Sequence, residues 1–254
     1  MEAFIKNLAK GAGAILREGF GKKLKIKEKN GFWDITTQYD LAAEKFIARK
    51  IRARFPNHGI LGEETGHKGD RNQFWIVDPL DGTRNFSRGI PVFCTMLAFV
   101  KHGKIEIGAV YDPIHDEYFF AARGKGATLN NKRIRVNSID KIESSLAAMV
   151  WGNDRPSRVM SQKFQKLILD YEIWDNSLAS GGLTLAWVAA GRVDFDINTV
   201  SALWDYVPGA LIVEEAGAKV TDIQGRPYRW NSESIFAANP VLHSKIMKQL
   251  YPKK

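Results

Sequence analysis

Cysteine is almost missing from this 254-residue chain; the single one, Cys94, sits in the apolar run VFCTMLAFV. One thiol cannot close an internal disulfide, so the fold must rest on its core. A lone cysteine in such a run reads as a small buried hydrophobe of a cytoplasmic protein. No apolar run approaches the roughly 20 residues that cross a bilayer. The first residues, with Glu2, Lys6 and Lys10 inside an amphipathic pattern, are unlike a signal peptide. Tandem repeats and low-complexity linkers are missing too. Histidine is scarce, and His58, His67, His102, His115 and His243 sit mostly in loop-like sequence, where solvated imidazole is expected.

Acidic residues are in deficit, 28 against 37 basic ones, for a net charge of +9. Basic runs occur at Lys22 to Lys29, at Lys132 to Arg135 and at Lys253-Lys254. Such patches can neutralise phosphates of a nucleic acid. No zinc-finger, RNA-recognition or basic-zipper motif accompanies them, so a solvated surface that draws in anionic substrates is the preferred reading. A hydrophobic content of 44% supplies a real core, in one large domain or two smaller ones.

Periodicity gives a mixed α and β chain. Phe4, Ile5, Leu8, Ala12, Ile15 and Leu16 recur at helical spacing, predicting an amphipathic helix over residues 2 to 18; a second is expected from about Asp40 to Arg54. The runs VFCTMLAFV, KIEIGAVYD and EYFFAA, parted by the turns KHGK and DPIHD, read as an antiparallel meander. Beyond Asn137 strands are expected near SLAAMVW and YEIW, with helices near 181–190, 206–216 and 240–251. A subdomain boundary is therefore placed near 137, dividing an N-terminal α+β part (1–137) from a C-terminal α/β part (138–254).

The most informative stretch is FWIVDPLDGTRNF, Phe74 to Phe86. An apolar strand-like run ends at Asp78, and Pro79 and the Asp81-Gly82 pair are expected to force the chain out of it. Two carboxylates three residues apart on a rigid turn suggest a site for a hard divalent cation held by oxygens. Leu80 offers a carbonyl to the same space, Gly82 permits close approach, and Thr83 can open a short helix whose free N–H groups attract phosphate. An Asp-Gly hairpin turn after a core strand is the plain alternative.

Further acids recur at element ends. Glu63 and Glu64 follow Gly59 to Leu61, Asp205 precedes the helical stretch from Val207, and Asp40 opens the second helix. Each has an ordinary explanation: Asp40 and Asp205 as helix N-caps, Pro208 in a first turn, and Glu63 and Glu64 as solvated acids.

GEE, WIVDPLDGTRNF and WDYVPGALIVEEAG, in this order, resemble the inositol-monophosphatase superfamily of magnesium-dependent, lithium-sensitive phosphatases, over nearly the whole chain. The resemblance implies the fold, a layered α/β/α/β/α sandwich of the α+β class shared with fructose-bisphosphatases, and a homodimer. It also implies two or three Mg2+ ions: Glu63, Asp78 and the Leu80 carbonyl around one, Asp78, Asp81 and Asp205 around the second, and a third, weaker ion near Glu63. Carboxylates that converge repel, by roughly 4 kcal/mol per pair at 4 Å in an effective dielectric of 20, and divalent cations turn that repulsion into binding. Two such ions can clamp the attacking and leaving oxygens of an in-line displacement and activate water as nucleophile. By resemblance Thr83 orients that water, Asp40 engages the threonine hydroxyl, and Glu63 helps to accept a proton.

The same pattern places Asp81, Gly82, Thr83, Ser180 and Gly181 around the substrate. Counting back from WD to the substrate-binding glutamate of animal inositol phosphatases gives Asn198, which can hydrogen-bond hydroxyls but carries no charge. NFSRGIP, after Arg84, looks instead like the histidinol-phosphate phosphatases of the superfamily. The expected activity is hydrolysis of a small polyol or sugar phosphate, inositol-1-phosphate-like first. Histidinol phosphate comes second, and fructose 1,6-bisphosphate and nucleotide phosphates follow. An inactive scaffold or nucleic-acid-binding protein on this fold is the non-enzyme alternative.

Overall fold

A computed structural model describes residues 1–29, 34–152, 154–199 and 202–252; the Lys253-Lys254 pair lies outside them. Helix α1 (Glu2–Gly19) buries Ile5, Leu8, Ala9, Ala12 and Leu16 on one stripe, as its period predicts. The exposed strand β1 (Ile26–Glu28) pairs antiparallel with the more buried β2 (Ile35–Thr37), which leads into α2 (Gln38–Arg54). α1 packs on α2 closely enough that a Cβ on Gly11 would stand 2.4 Å from the Phe46 ring.

Next come β3 (Gly59–Gly62), β4 (Gly66–Lys68), β5 (Gln73–Asp81), the short helix α3 (Thr83–Ser87), β6 (Cys94–Lys101), β7 (Lys104–Asp112), β8 (Glu117–Ala122), β9 (Ala127–Leu129) and β10 (Lys132–Arg133). Their strands form one sheet in the order β10-β9-β8-β7-β6-β5-β3-β4, with the expected meander at its centre. The rest is β11 (Leu146–Val150), α4 (Arg155–Tyr171), β12 (Trp174–Asp175), α5 (Gly181–Ala189), β13 (Phe195–Asn198), a 3-10 turn (Leu203–Asp205), α6 (Val207–Glu215), β14 (Lys219–Thr221), β15 (Ile235–Ala238) and α7 (Pro240–Leu250). The second sheet runs β12-β11-β13-β15-β14.

Strand alternation sorts the core into three clusters. Trp75, Val77, Leu97 and Phe99 face α1 and α2. Phe74, Ile76, Met96 and Ala98 face the other way, onto α5 and α6 and the near side of the second sheet, Ala148, Ile235 and Ala237. The far side of that sheet, with Phe195, Ile197 and Phe236, is covered by α4 and α7. The result is five layers, α/β/α/β/α, with α5 and α6 at the centre. α5 and the Val207–Val213 part of α6 are mostly apolar on every side because they are covered on every side.

Several sequence expectations need correction. α4 was not foreseen, and it takes up Tyr171 of the YEIW segment, leaving only Trp174–Asp175 as strand. β5 does not end at Asp78 but continues to Asp81 through a bulge, where three steps from Asp78 to Asp81 face two steps from Met96 to Cys94. Proline lacks an N–H, and a bulge is one of the few interior places in a sheet that tolerates it. Two histidines are not solvated. His243 lies on the buried face of α7, 2.9 Å from Thr221 Oγ1, and burial pushes it down to about 4. His58 lies stacked between Phe55 and Phe99.

Candidate active site

The bulge decides where the two aspartates of DPLD go. In a regular strand, residues three apart point to opposite faces; one extra residue resets the alternation and returns Asp81 to the face of Asp78. Both carboxyls then look toward α5 and α6. β3 lies parallel to β5, and the Glu63 N–H donates to Val77 O at 3.1 Å, which delivers Glu63 beside Asp78. The 3-10 turn before α6 brings Asp205 to the same place, where its charge acts on Asp78.

Burial shifts all four of the acids so gathered upward. Burial raises Asp78 far above the ordinary carboxylate range, and Glu63, Asp81 and Asp205 add to it. Asp205 is raised by burial, then by Asp81 and Glu63. Glu63 is pushed up to about 7 by burial, which outweighs the opposing Lys29. Lys29 Nζ stands 2.7 Å from Glu63 Oε1, 3.1 Å from Glu64 Oε1 and 3.3 Å from Asp34 Oδ1. Burial works against that ammonium, but Glu63 and Glu64 prevail and hold its pKa above the ordinary lysine value. Glu63 and Glu64 are thus not the solvated acids that their sequence allowed.

Asp40 and Asp205 are not N-caps. Thr37 caps α2, and Asp40, at the third helical position, accepts from Thr37 N at 2.9 Å to close a capping box. Its other oxygen accepts from Thr83 Oγ1 at 3.0 Å, and the same hydroxyl lies 2.9 Å from Leu80 O. Burial lifts Asp40 to about 6 against the hydrogen bonds from Thr37 and Thr83. Asp40, Thr83 and the Leu80 carbonyl therefore form one unit. Gly82 joins Thr83 to the bulge at φ +90°, where a Cβ would also meet Val92 O at 2.8 Å.

On the opposite wall, the first turn of α5 grips Asp81. Ser180 Oγ donates to Asp81 Oδ2 at 2.6 Å and the Gly182 N–H at 2.8 Å, with Cys94 Sγ at 3.5 Å. Burial raises Asp81, and those donors oppose the rise. Asn198 is fully buried on β13, so close to Gly181 that a Cβ there would lie 2.6 Å from its Nδ2. All the candidate residues, Asp40, Glu63, Asp78, Leu80, Asp81, Gly82, Thr83, Ser180, Gly181, Asn198 and Asp205, are thereby gathered around one bulge and one helix end. Lys29 and Gly182 went unforeseen: Lys29 was one of several lysines in a basic run, and a backbone N–H leaves no sequence mark.

The donor set suits a hard cation: all oxygen, four carboxyls and a carbonyl, with Lys29 as a counter-charge. Among the described residues no three acids already close around one ion; Glu63 is turned onto Lys29, Asp81 onto Ser180 and Gly182, and Asp78 accepts from the Leu80 N–H. Their mutual repulsion is the stronger indication, because protein donors relieve it only in part.

The model of the inositol monophosphatase family matches residues 1–253. The chain belongs to that family. It is 34% identical, over 96% of its length and 93% of the relative's, to a protein of Thermotoga maritima named fructose-1,6-bisphosphatase/inositol-1-monophosphatase. It is 36% identical to the Nus factor SuhB of Pasteurella multocida, over 96% and 93% of the two chains. The solved structure of the extragenic suppressor protein suhB of Bartonella henselae superposes with a TM-score of 0.93 at 32% identity, covering 100% of this chain and 99% of that one. The five layers are those of this family, whose members are phosphatases of small phosphate substrates and generally metal-dependent. No helix among the described residues is long and apolar enough to cross a membrane.

Proposed function

We propose that the protein is a Mg2+-dependent phosphomonoesterase of small polyol or sugar phosphates, inositol-1-phosphate-like substrates first. The observation that carries this reading is the bulge in β5, which turns Asp78 and Asp81 to one face beside Glu63 and Asp205. Glu63, Asp78 and the Leu80 carbonyl would hold one ion, and Asp78, Asp81 and Asp205 a second. Bound there, the cations would neutralise the acids, polarise the phosphate ester and lower the pKa of a water.

The chain's own residues supply the rest. Thr83 Oγ1, by donating to Asp40, keeps its lone pairs free to accept a hydrogen bond from water and so to aim it. Asp40, fixed by Thr37, prevents that hydroxyl from turning away. The N-terminal turn of α5 presents Ser180 and Gly181 to the hydroxyl-bearing part of the substrate, with Asn198 behind them. Lys29 neutralises Glu63 and Glu64 and must yield when a cation approaches Glu63.

Replacing Asp81 by Asn tests this assignment. An amide cannot supply the anionic oxygen, so turnover should be nearly abolished; an Asp81→Asn enzyme close to wild type would remove the carboxylate cluster from the mechanism. Histidinol phosphate remains the second substrate, carried by NFSRGIP. The relative named fructose-1,6-bisphosphatase/inositol-1-monophosphatase keeps that bisphosphate in view. Inhibition by lithium and a homodimeric state belong to the same reading.

A further inference from the structure

β13 carries two polar side chains, Asp196 and Asn198, on the face toward α5, while Phe195 and Ile197 fill the core on its other side. Asp196 is wholly buried. Its Oδ1 accepts from Thr184 Oγ1 at 2.7 Å, and its Oδ2 has no hydrogen-bond partner. A buried acid with an unmatched oxygen costs stability, and a leucine could fill nearly the same space without that cost. Fold stability therefore gives no reason for an acid here.

Thr184 supplies one. Its N–H donates to Ser180 O at 3.1 Å, and its hydroxyl also lies 3.1 Å from Gly181 O. A hydroxyl has one proton to give. With Asp196 in its acid form, the Asp196 O–H donates to Thr184 Oγ1, and the Thr184 O–H donates in turn to Gly181 O; all three groups are then joined head to tail. Burial, opposed by Thr184 and helped by the charge of Asp81, pushes Asp196 up to about 7, so the acid form is populated near neutral pH. The turn held in this way is the one that presents Ser180 Oγ and the Gly182 N–H to Asp81.

We propose that Asp196 is a positioning residue of the active site: through Thr184 it fixes the first turn of α5, and through that turn the Asp81 carboxylate. The inference rests on the phosphatase reading above, in which Asp81 must keep one oxygen anchored while it offers the other to a cation. Asp196 touches neither substrate nor ion. Its presence exchanges some stability for a fixed carboxylate.

Calorimetric titration of Mg2+ into the substrate-free protein, with kcat and KM measured in parallel, tests the proposal on three variants. Asp196→Leu should weaken Mg2+ binding and lower kcat by about 10–100-fold, the range for groups that orient metal ligands, with KM changed less and Tm no lower than wild type. Asp196→Asn, whose amide still donates to Thr184, should retain most of the affinity. Thr184→Val should reproduce the Asp196→Leu loss, and it decides the matter if Asp196→Leu does not fold. Wild-type Mg2+ affinity in Asp196→Leu or Thr184→Val, or equal impairment in the Leu and Asn variants, would overturn the proposal. A wild-type protein that neither binds Mg2+ nor releases phosphate would sink the phosphatase reading instead, so the two failures are distinct.

Discussion

Glu63→Gln should change the pH dependence of stability, and added Mg2+ should largely cancel its advantage over the wild type. Burial, ahead of the opposing Lys29, lifts Glu63 from 4.5 to about 7 in the folded protein. A carboxyl raised by folding binds its proton more tightly folded than unfolded. It therefore costs nothing below the unfolded value, costs more as pH climbs through the window, and reaches its full cost above about 7. Gln imitates the protonated acid and has no such slope. In chelator, Glu63→Gln should gain about 3 kcal/mol on wild type between pH 4.5 and 7.5, from a window of about 2.5 pH units at 1.36 kcal/mol each. For a chain of this size that is a change of roughly 6–12 °C in the difference between the two melting temperatures. Using the difference cancels His243 and His58, which burial pushes down and whose effect on stability has the opposite slope. Lys29, held above its ordinary value, stays charged throughout. With Mg2+ at about 100 times its Kd, the wild type should gain about 2.7 kcal/mol that the variant largely lacks. Differential scanning fluorimetry from pH 4.5 to 8 measures both arms. A pH-independent difference in chelator, or a variant that loses ground as pH rises, would refute the reasoning.

Thr83→Ala should lower kcat by about 10²–10⁴ with little change in the Mg2+ concentration for half-maximal rate, because in the proposed mechanism the hydroxyl aims water and is no ligand; a chiefly metal-binding defect would contradict that role. Asn198→Ala should raise KM for polyol phosphates by about two- to tenfold, the worth of one neutral hydrogen bond, and leave metal dependence alone; an unchanged ranking across a substrate panel would place selectivity elsewhere. Light scattering at several concentrations should give a dimer mass, and a monomer throughout would remove the family expectation without touching the site.

How much could be read from the sequence differed by element, for physical reasons. α1 was legible because it buries one face, so its period of 3.6 survives in the residue pattern, whereas the meander strands, buried on both faces, were legible as apolar runs parted by polar turns. α4 was missed although Met160, Phe164 and Leu167 are buried at helical spacing, because exposed Val159 and Leu169 blur its stripe. β1 has no buried side at all. The acids of the site were found through their motifs, but the bulge that aligns Asp78 with Asp81 depends on how β6 pairs with β5, which no local pattern encodes. His243 was misread for the opposite reason: Leu242, Ile246 and Leu250 mark α7 as amphipathic, and a histidine beside them shares the buried face. Asp196 lay in a short strand among hydrophobic neighbours and carried no motif.

The central claim is that the acids around the β5 bulge make a divalent-metal phosphatase. Phosphate release from inositol 1-phosphate, histidinol phosphate, fructose 1,6-bisphosphate and a nucleotide monophosphate, measured with Mg2+ and with chelator, tests it most directly. The account predicts turnover of at least one of these esters with Mg2+, inositol 1-phosphate foremost, and none in chelator. Equal rates in the two conditions, or no release from any ester at saturating Mg2+, would contradict it.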